Sequence, residues 1–282
     1  MRIASKRWFA VFVLPTLISF CISFLIPFIM GLYLSFCEFR TVADARFVGF
    51  KNYISAFNDN SEFTNSMWFT AKFAIAAVIG INVIAFLLAL LLTRGIRGTN
   101  LFRTVFFMPN LIGGIVLGYI WQLIFNGILY KYGYSITSDS TFGYWGLVVL
   151  MCWQMIGYMM IIYITGIQNI PTAILEAARV DGAGPLRTLW SVIIPSVMPS
   201  ITICLFLSLT NSFKLFDQNL ALTAGAPSKQ TQMMALDIYN TFYGRIGYEG
   251  VGQAKAVIFF VLVAAIALTQ LYFTRSKEVE NQ

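Results

Sequence analysis

The charged side chains of residues 170–195, IPTAILEAARVDGAGPLRTLWSVIIP, stand between two long apolar runs. Glu176 and Asp181 are five residues apart on what reads as one short helix and its end, which suits a helix-start and a helix-end acid better than an acid–base pair. The chemistry available here is recognition. Glu176 can pair with a basic surface, Ala177 and Ala178 let another surface come close, and Gly182 lets the backbone turn with a positive φ. Elsewhere the chain offers little for catalysis. It has no histidine, which removes the commonest general base and metal ligand. No serine–histidine, cysteine–histidine or two-carboxylate arrangement is available inside an apolar run. Cys21, Cys37, Cys152 and Cys204 are scattered and give neither a disulfide framework nor a zinc site. We therefore expect no catalytic residue, no metal and no cofactor held by this chain.

A second group of side chains suits a neutral, hydroxyl-rich solute. A sugar presents apolar C–H faces ringed by hydroxyls, so it is met by aromatic faces beside amides and hydroxyls. Trp121 and Gln122, then Trp153, Gln154 and Tyr158, then Ser208 and Asn211 provide these groups within three apolar runs. Polar side chains at membrane depth face protein or a cavity rather than lipid. They are candidates for a substrate path, or else for bonds between neighbouring helices.

The elements that carry these groups are membrane spans. Hydrophobic residues make up 58% of the 282 residues and charged residues 11%, with a mean hydropathy of +0.75; a soluble domain carries about 25% charged residues. So much apolar surface cannot be hidden in one soluble core. The net charge of +7 is spread over flanks and loops, without the basic face that nucleic-acid binding needs. Six apolar runs, about 8–36, 68–93, 104–126, 142–167, 190–213 and 254–273, each reach the roughly 20 residues that a spanning helix requires. The first is too long for a signal-peptide core and lacks a cleavage site, so it reads as a retained span. Pro15 and Pro27 are expected to kink it, and Pro195 and Pro199 to bend the fifth. The expected fold is all-α, one polytopic membrane domain over 1–282 with lipid around it.

Six spans place both termini on one side. The N-terminal stretch, 94–103, 168–189 and the tail hold ten of the nineteen Lys and Arg, while the opposite loops, nearly twice as long, hold seven. By the positive-inside rule both termini and the 168–189 loop are cytoplasmic. Within that loop, Thr172 is expected to cap a helix with Glu176 and Arg179 at i and i+3, and Gly182 and Gly184 to end it. Pro185 suits the first position of the next helix.

The 168–189 loop resembles the coupling loop of membrane subunits in binding-protein-dependent ABC importers. The signature is Glu-Ala-Ala, three residues, then Gly, here Glu176, Ala177, Ala178 and Gly182, closed by Ile194-Pro195. The run Ala177 to Ala183, with Asp181 before the glycine, resembles the carbohydrate-uptake branch. Phe102-Arg103-Thr104, Phe107-Met108-Pro109-Asn110 and Gly118-Tyr119-Ile120-Trp121 are similar to the third span of sugar permeases, and Phe216-Asp217-Gln218 with Leu222-Thr223 and Gly225-Ala226-Pro227 to the outer loop before the last span. The double glycine usual in that loop is Gly225-Ala226 here.

That resemblance implies the permease subunit of an ATP-driven carbohydrate importer in a bacterial plasma membrane, working by alternating access. It implies four kinds of partner: a second homologous permease, two ATPase subunits that hold ATP and Mg, an extracytoplasmic sugar-binding protein, and membrane lipid. It also implies that the fourth and fifth spans line the cavity at Tyr158, Ser208 and Asn211. A permease for a glycerol-phosphate-type solute is the alternative. An ion-coupled carrier is a further one, opposed by spans nearly free of ionisable groups, in which Lys72 and Arg103 lie near the ends. No glycine-rich phosphate loop ending in Lys-Ser or Lys-Thr is present, so ATP is expected on a partner.

Overall fold

A computed structural model describes residues 2–58 and 62–279; the side chains of 2–10 and 275–279 lie outside the described set, including Lys6, Arg7, Arg275 and Lys277 of the basic count. The described residues are almost entirely helical. Among the described residues four helices, Val11–Leu34, Glu62–Leu92, Ser140–Gln168 and Glu249–Thr274, are long and apolar enough to cross a membrane, and two bent pairs raise the number to six if each pair is one span.

Contacts divide the chain into two compact units. The first comprises 1–63 and 238–260. In it α1 (Arg2–Phe20) passes through a π turn, Cys21–Leu25, into α2 (Ile26–Leu34). Pro15 sits inside α1 without ending it. Before Pro27 the Ile26 N–H bonds to the Cys21 carbonyl, five residues back. The wider turn gives room where the proline ring would crowd the preceding turn. A two-residue antiparallel ladder, β1 (Cys37–Glu38) with β2 (Arg46–Phe47), leads to α3 (Lys51–Asn58). Asn52 on α3 is buried and donates to the Ser35 and Cys37 carbonyls at 3.0 and 2.8 Å, which fastens α3 to the ladder.

The second unit comprises 64–237 and 261–282. Its centre is the packing of α4 (Glu62–Leu92) with the long helix 140–168. Ala77, Ile81, Ala85 and Ala89 recur every four residues along α4 and are fully buried. This row of mostly small side chains lets helices approach closely where no water drives them together. It shares one core with Leu147, Met151, Met159 and Tyr163.

The span read as 104–126 is not straight. It is α5 (Thr99–Phe107) with the 3-10 turn Met108–Leu111, then α6 (Gly114–Leu129), and the two parts meet at 103°. Pro109 supplies no N–H, and Gly113 takes an extended conformation, so helical bonding lapses between them. The long helix that follows is α7 (Ser140–Gln168), capped by the Asp139 carboxylate on the Thr141 N–H at 2.6 Å. The next elements are α8 (Thr172–Val180), α9 (Pro185–Thr188), a π turn Leu189–Ile193, α10 (Ile194–Ser196) and α11 (Met198–Phe213). The path from Pro185 to Phe213 bends by 72° at Val197, between Pro195 and Pro199. The chain closes with α12 (Asp217–Leu222), α13 (Met234–Gly244) and α14 (Glu249–Val279).

Candidate functional site

Two places in the second unit carry the functional side chains, the 168–189 loop and the group around the bend between α5 and α6. In the loop, Pro171 occupies the N-cap position of α8 and Thr172 is its first helical residue. No side-chain cap forms, so the expected Thr172 cap is absent; Thr172 lies one position too far along to serve the first turn. Gly182 ends the helix with φ +74°. The Ala183 N–H bonds to the Ala178 carbonyl at 2.9 Å and the Gly182 N–H to that of Arg179 at 3.1 Å, which together make a Schellman ending with Gly182 in the left-handed position. Gly184 does not end α8. It is extended and precedes α9, where its carbonyl accepts from the Thr188 N–H at 2.9 Å.

Glu176, Ala177, Asp181 and Gly182 are exposed and Ala178 is half-buried. Among the described residues Glu176 and Arg179 form no ion pair, which leaves Glu176 able to meet another surface. Apolar side chains stand out around them: Val180 is 87% exposed, Leu186 73% and Trp190 68%. An exposed acid, small residues and bare apolar side chains on a rigidly ended helix suit the docking of another protein.

The second group is built on close backbone approaches. A Cβ on Gly157 of α7 would collide with the Phe106 carbonyl, so only glycine lets α7 pass the end of α5. A Cβ on Gly118 of α6 would stand 2.5 Å from the Ala221 Cβ, so α12 also lies directly on α6. Amides then tie the pieces. The Gln154 amide nitrogen donates to the Ile112 carbonyl at the bend, 3.3 Å, and its oxygen accepts from Gln218 on α12 at 2.7 Å. Gln122 donates to the Leu222 carbonyl at 3.0 Å. Beside them Trp121 and Trp153 meet edge to face at 5.5 Å between ring centres, and Tyr158 faces Phe107 at 6.4 Å. Trp153 is 43% exposed and Gln154 8%. The Tyr158 hydroxyl has no hydrogen bond among the described residues.

Trp121, Gln122, Trp153, Gln154 and Tyr158 thus surround one bend. Ser208 and Asn211 are apart from it. Ser208 is fully buried; its hydroxyl donates to the Cys204 carbonyl at 2.7 Å and accepts from Asn82 at 2.8 Å. Asn82 in turn accepts from the Tyr163 hydroxyl at 2.7 Å, so the three side chains join α4, α7 and α11. Asn211 is exposed and donates to the Leu207 carbonyl of its own helix at 2.8 Å.

Sequence reasoning passed over Asn82 and Asn219, and took Gln218 only as part of the outer-loop resemblance. Asn219 is fully buried; its amide donates to the Thr231 carbonyl at 2.8 Å and accepts from the Met233 N–H at 3.0 Å, which pins the loop after α12. Asn82, a lone amide in an apolar run, was a visible signal. Lys255 was also missed. It lies within the expected sixth span, is 1% exposed and donates to Thr241 at 2.9 Å.

Residues 81–278 match the family model of the binding-protein-dependent transport system inner membrane component. The chain is 46% identical to the probable starch degradation products transport system permease protein AmyD of Thermoanaerobacterium thermosulfurigenes, over 97% of this chain and 96% of that one. It is 28% identical to the multiple sugar-binding transport system permease protein MsmF of Streptococcus mutans, over 99% of each. In fold it is similar to a chain of a bacterial ABC transporter that imports the acidic polysaccharide alginate, with a TM-score of 0.84 and 19% identity over 98% of this chain and 97% of that one.

Proposed function

Because the chain belongs to the family of inner membrane components of binding-protein-dependent transport systems, we propose that it carries oligosaccharides of the kind released from starch across a bacterial plasma membrane, as one permease of an ATP-driven importer. The observation that carries this reading is the 46% identity over nearly the whole chain to a permease for starch degradation products. The site supports it, since edge-to-face tryptophans and an unpaired tyrosine hydroxyl offer a neutral sugar its apolar and polar contacts.

The proposed path runs past Trp121, Gln122, Trp153 and Tyr158 at the bend, and on to Asn211 of α11. Gln154 and Gln218 hold the bend between α5 and α6 against α12, so moving α12 releases one wall of the path. Ser208 fixes helix spacing through Asn82. The bare surface of α8, with Glu176, Ala177, Ala178, Asp181 and Gly182, docks on an ATPase subunit that holds ATP and Mg, and hydrolysis belongs to that partner. A second homologous permease completes the path. A binding protein delivers the sugar to the outer side, where Ala224, Ser228 and Lys229 hold positive φ in the loop after α12.

Uptake of labelled maltotriose by proteoliposomes that hold this chain with its neighbouring subunits tests the reading. We expect saturable uptake that requires ATP and binding protein and is not displaced by excess glycerol 3-phosphate. Uptake of labelled glycerol 3-phosphate with none of maltotriose overturns the choice of solute.

A further inference from the structure

Two cavities of the second unit take lining residues from the outer half of α4. One, about 410 Å³, is lined by Ala71, Ala74, Ile75, Val78, Ile79, Leu209, Phe213 and Ile266. Every lining side chain is apolar, and the groove lies where α4, α11 and α14 run at membrane depth. The other, about 360 Å³, is lined by Phe69, Lys72, Ser140, Thr141, Tyr144 and Gln230. Lys72 stands one residue from Ala71 and one turn above Ile75, on the stripe that continues to Ile79. Lys72 of the polar cavity therefore shares a face of α4 with Ile75 and Ile79 of the apolar groove.

We propose that this composite site binds one anionic phospholipid, its phosphate beside Lys72 and one acyl chain in the groove; the inference rests only on the chain spanning a membrane. Charge and depth choose the occupant. An apolar groove in the hydrocarbon layer takes a chain without desolvating any polar group. Lys72 is exposed, with its ammonium 5.9 Å from the Trp68 ring centre. Exposed Trp68 and Trp145 mark this level as the membrane interface, where headgroups lie. Ser140, Thr141 and Gln230 add donors for phosphate and glycerol oxygens. The Asp139 carboxylate, the acid nearest this helix start, accepts from the Thr141 N–H and is not part of the lining. The cavity wall is held by the Tyr144 hydroxyl, which donates to the Lys72 carbonyl at 3.1 Å, and by the Phe69 and Tyr144 rings, edge to face at 5.8 Å.

The test is native mass spectrometry of the co-expressed complex, extracted in mild detergent and titrated with phosphatidylglycerol or phosphatidylcholine. Wild type is expected to retain one phosphatidylglycerol per chain. Lys72→Gln should weaken that retention roughly fivefold, the scale of one basic residue at an anionic surface, and leave phosphatidylcholine unchanged. Lys72→Arg should restore it, and Ile75→Trp, which fills the groove, should lower binding of both lipids. A photo-crosslinking residue at Ile79 should capture lipid. The proposal is overturned if Lys72→Gln retains phosphatidylglycerol as wild type does, if millimolar inorganic phosphate displaces it, or if the Ile79 probe captures a polypeptide.

Discussion

Asn82 is the residue on which three helices converge. Its amide donates to Ser208 and accepts from Tyr163 while both partners are shut away from water. Removing the Tyr163 hydroxyl leaves the Asn82 oxygen without that donor. Interhelical hydrogen bonds inside membranes contribute about 0.6 kcal/mol on average and up to about 1.7. We expect Tyr163→Phe to lower stability by about 1 kcal/mol in detergent unfolding, with maltotriose uptake retained. Tyr158→Ala should do the reverse, cutting uptake severalfold with little change in unfolding, since that ring is half-buried and its hydroxyl is unpaired. Gly157 is a harsher case. Any side chain there meets the Phe106 backbone, which cannot rotate aside. Gly157→Ala should cost about 3 kcal/mol, the upper range for overpacking, read as loss of folded protein after extraction. Trp121 and Trp153 were legible in the sequence as residue types, but their edge-to-face meeting was not, because it depends on how α6 is turned against α7.

At the scale of elements, α8 with its glycine ending was legible because order and spacing are local properties. Gly182 must take a left-handed conformation, which costs another residue about 1–2 kcal/mol. Gly182→Ala is expected to reduce ATPase co-purification and uptake together while the chain still inserts, and Glu176→Lys to lose the ATPase but keep the second permease; affinity purification with mass spectrometry separates the two. The α7 cap behaves differently. The Thr141 N–H holds the Asp139 carboxyl below its ordinary value of 3.8. A depressed folded pKa means the cap contributes above the unfolded value and is lost as pH falls through the lower folded one. Acid unfolding below pH 4 should therefore be milder in Asp139→Asn, whose amide oxygen can still accept the bond without titrating. The break in α5 and α6 was not legible as a 103° turn. Pro109 and Gly113 weaken the helix there, but neighbouring α7 and α12 decide how far the chain bends.

At the scale of the molecule, the importer reading concerns where energy enters. Uptake should persist when a protonophore collapses the ion gradient at constant ATP, and stop when the ATPase is omitted; loss with the protonophore alone would favour an ion-coupled carrier. The buried Lys255 does not by itself favour that carrier, since its ammonium donates to Thr241 and stands 5.2 Å from the Phe63 ring centre. Hydropathy over roughly twenty-residue windows and the density of Lys and Arg in the loops determined the helical membrane class, because both follow from what a bilayer excludes, whatever the neighbours. The Glu176 to Gly182 spacing determined the family because it is local, contained within one short helix and its glycine ending. Only the tertiary structure decided that Ser208 binds helices together and that Gln154 grips Gln218, 64 positions further along the chain. It also set Lys72 above an apolar groove. A side chain's partner depends on the rotation and depth of packed helices, and a single sequence encodes those only through the sum of all its contacts.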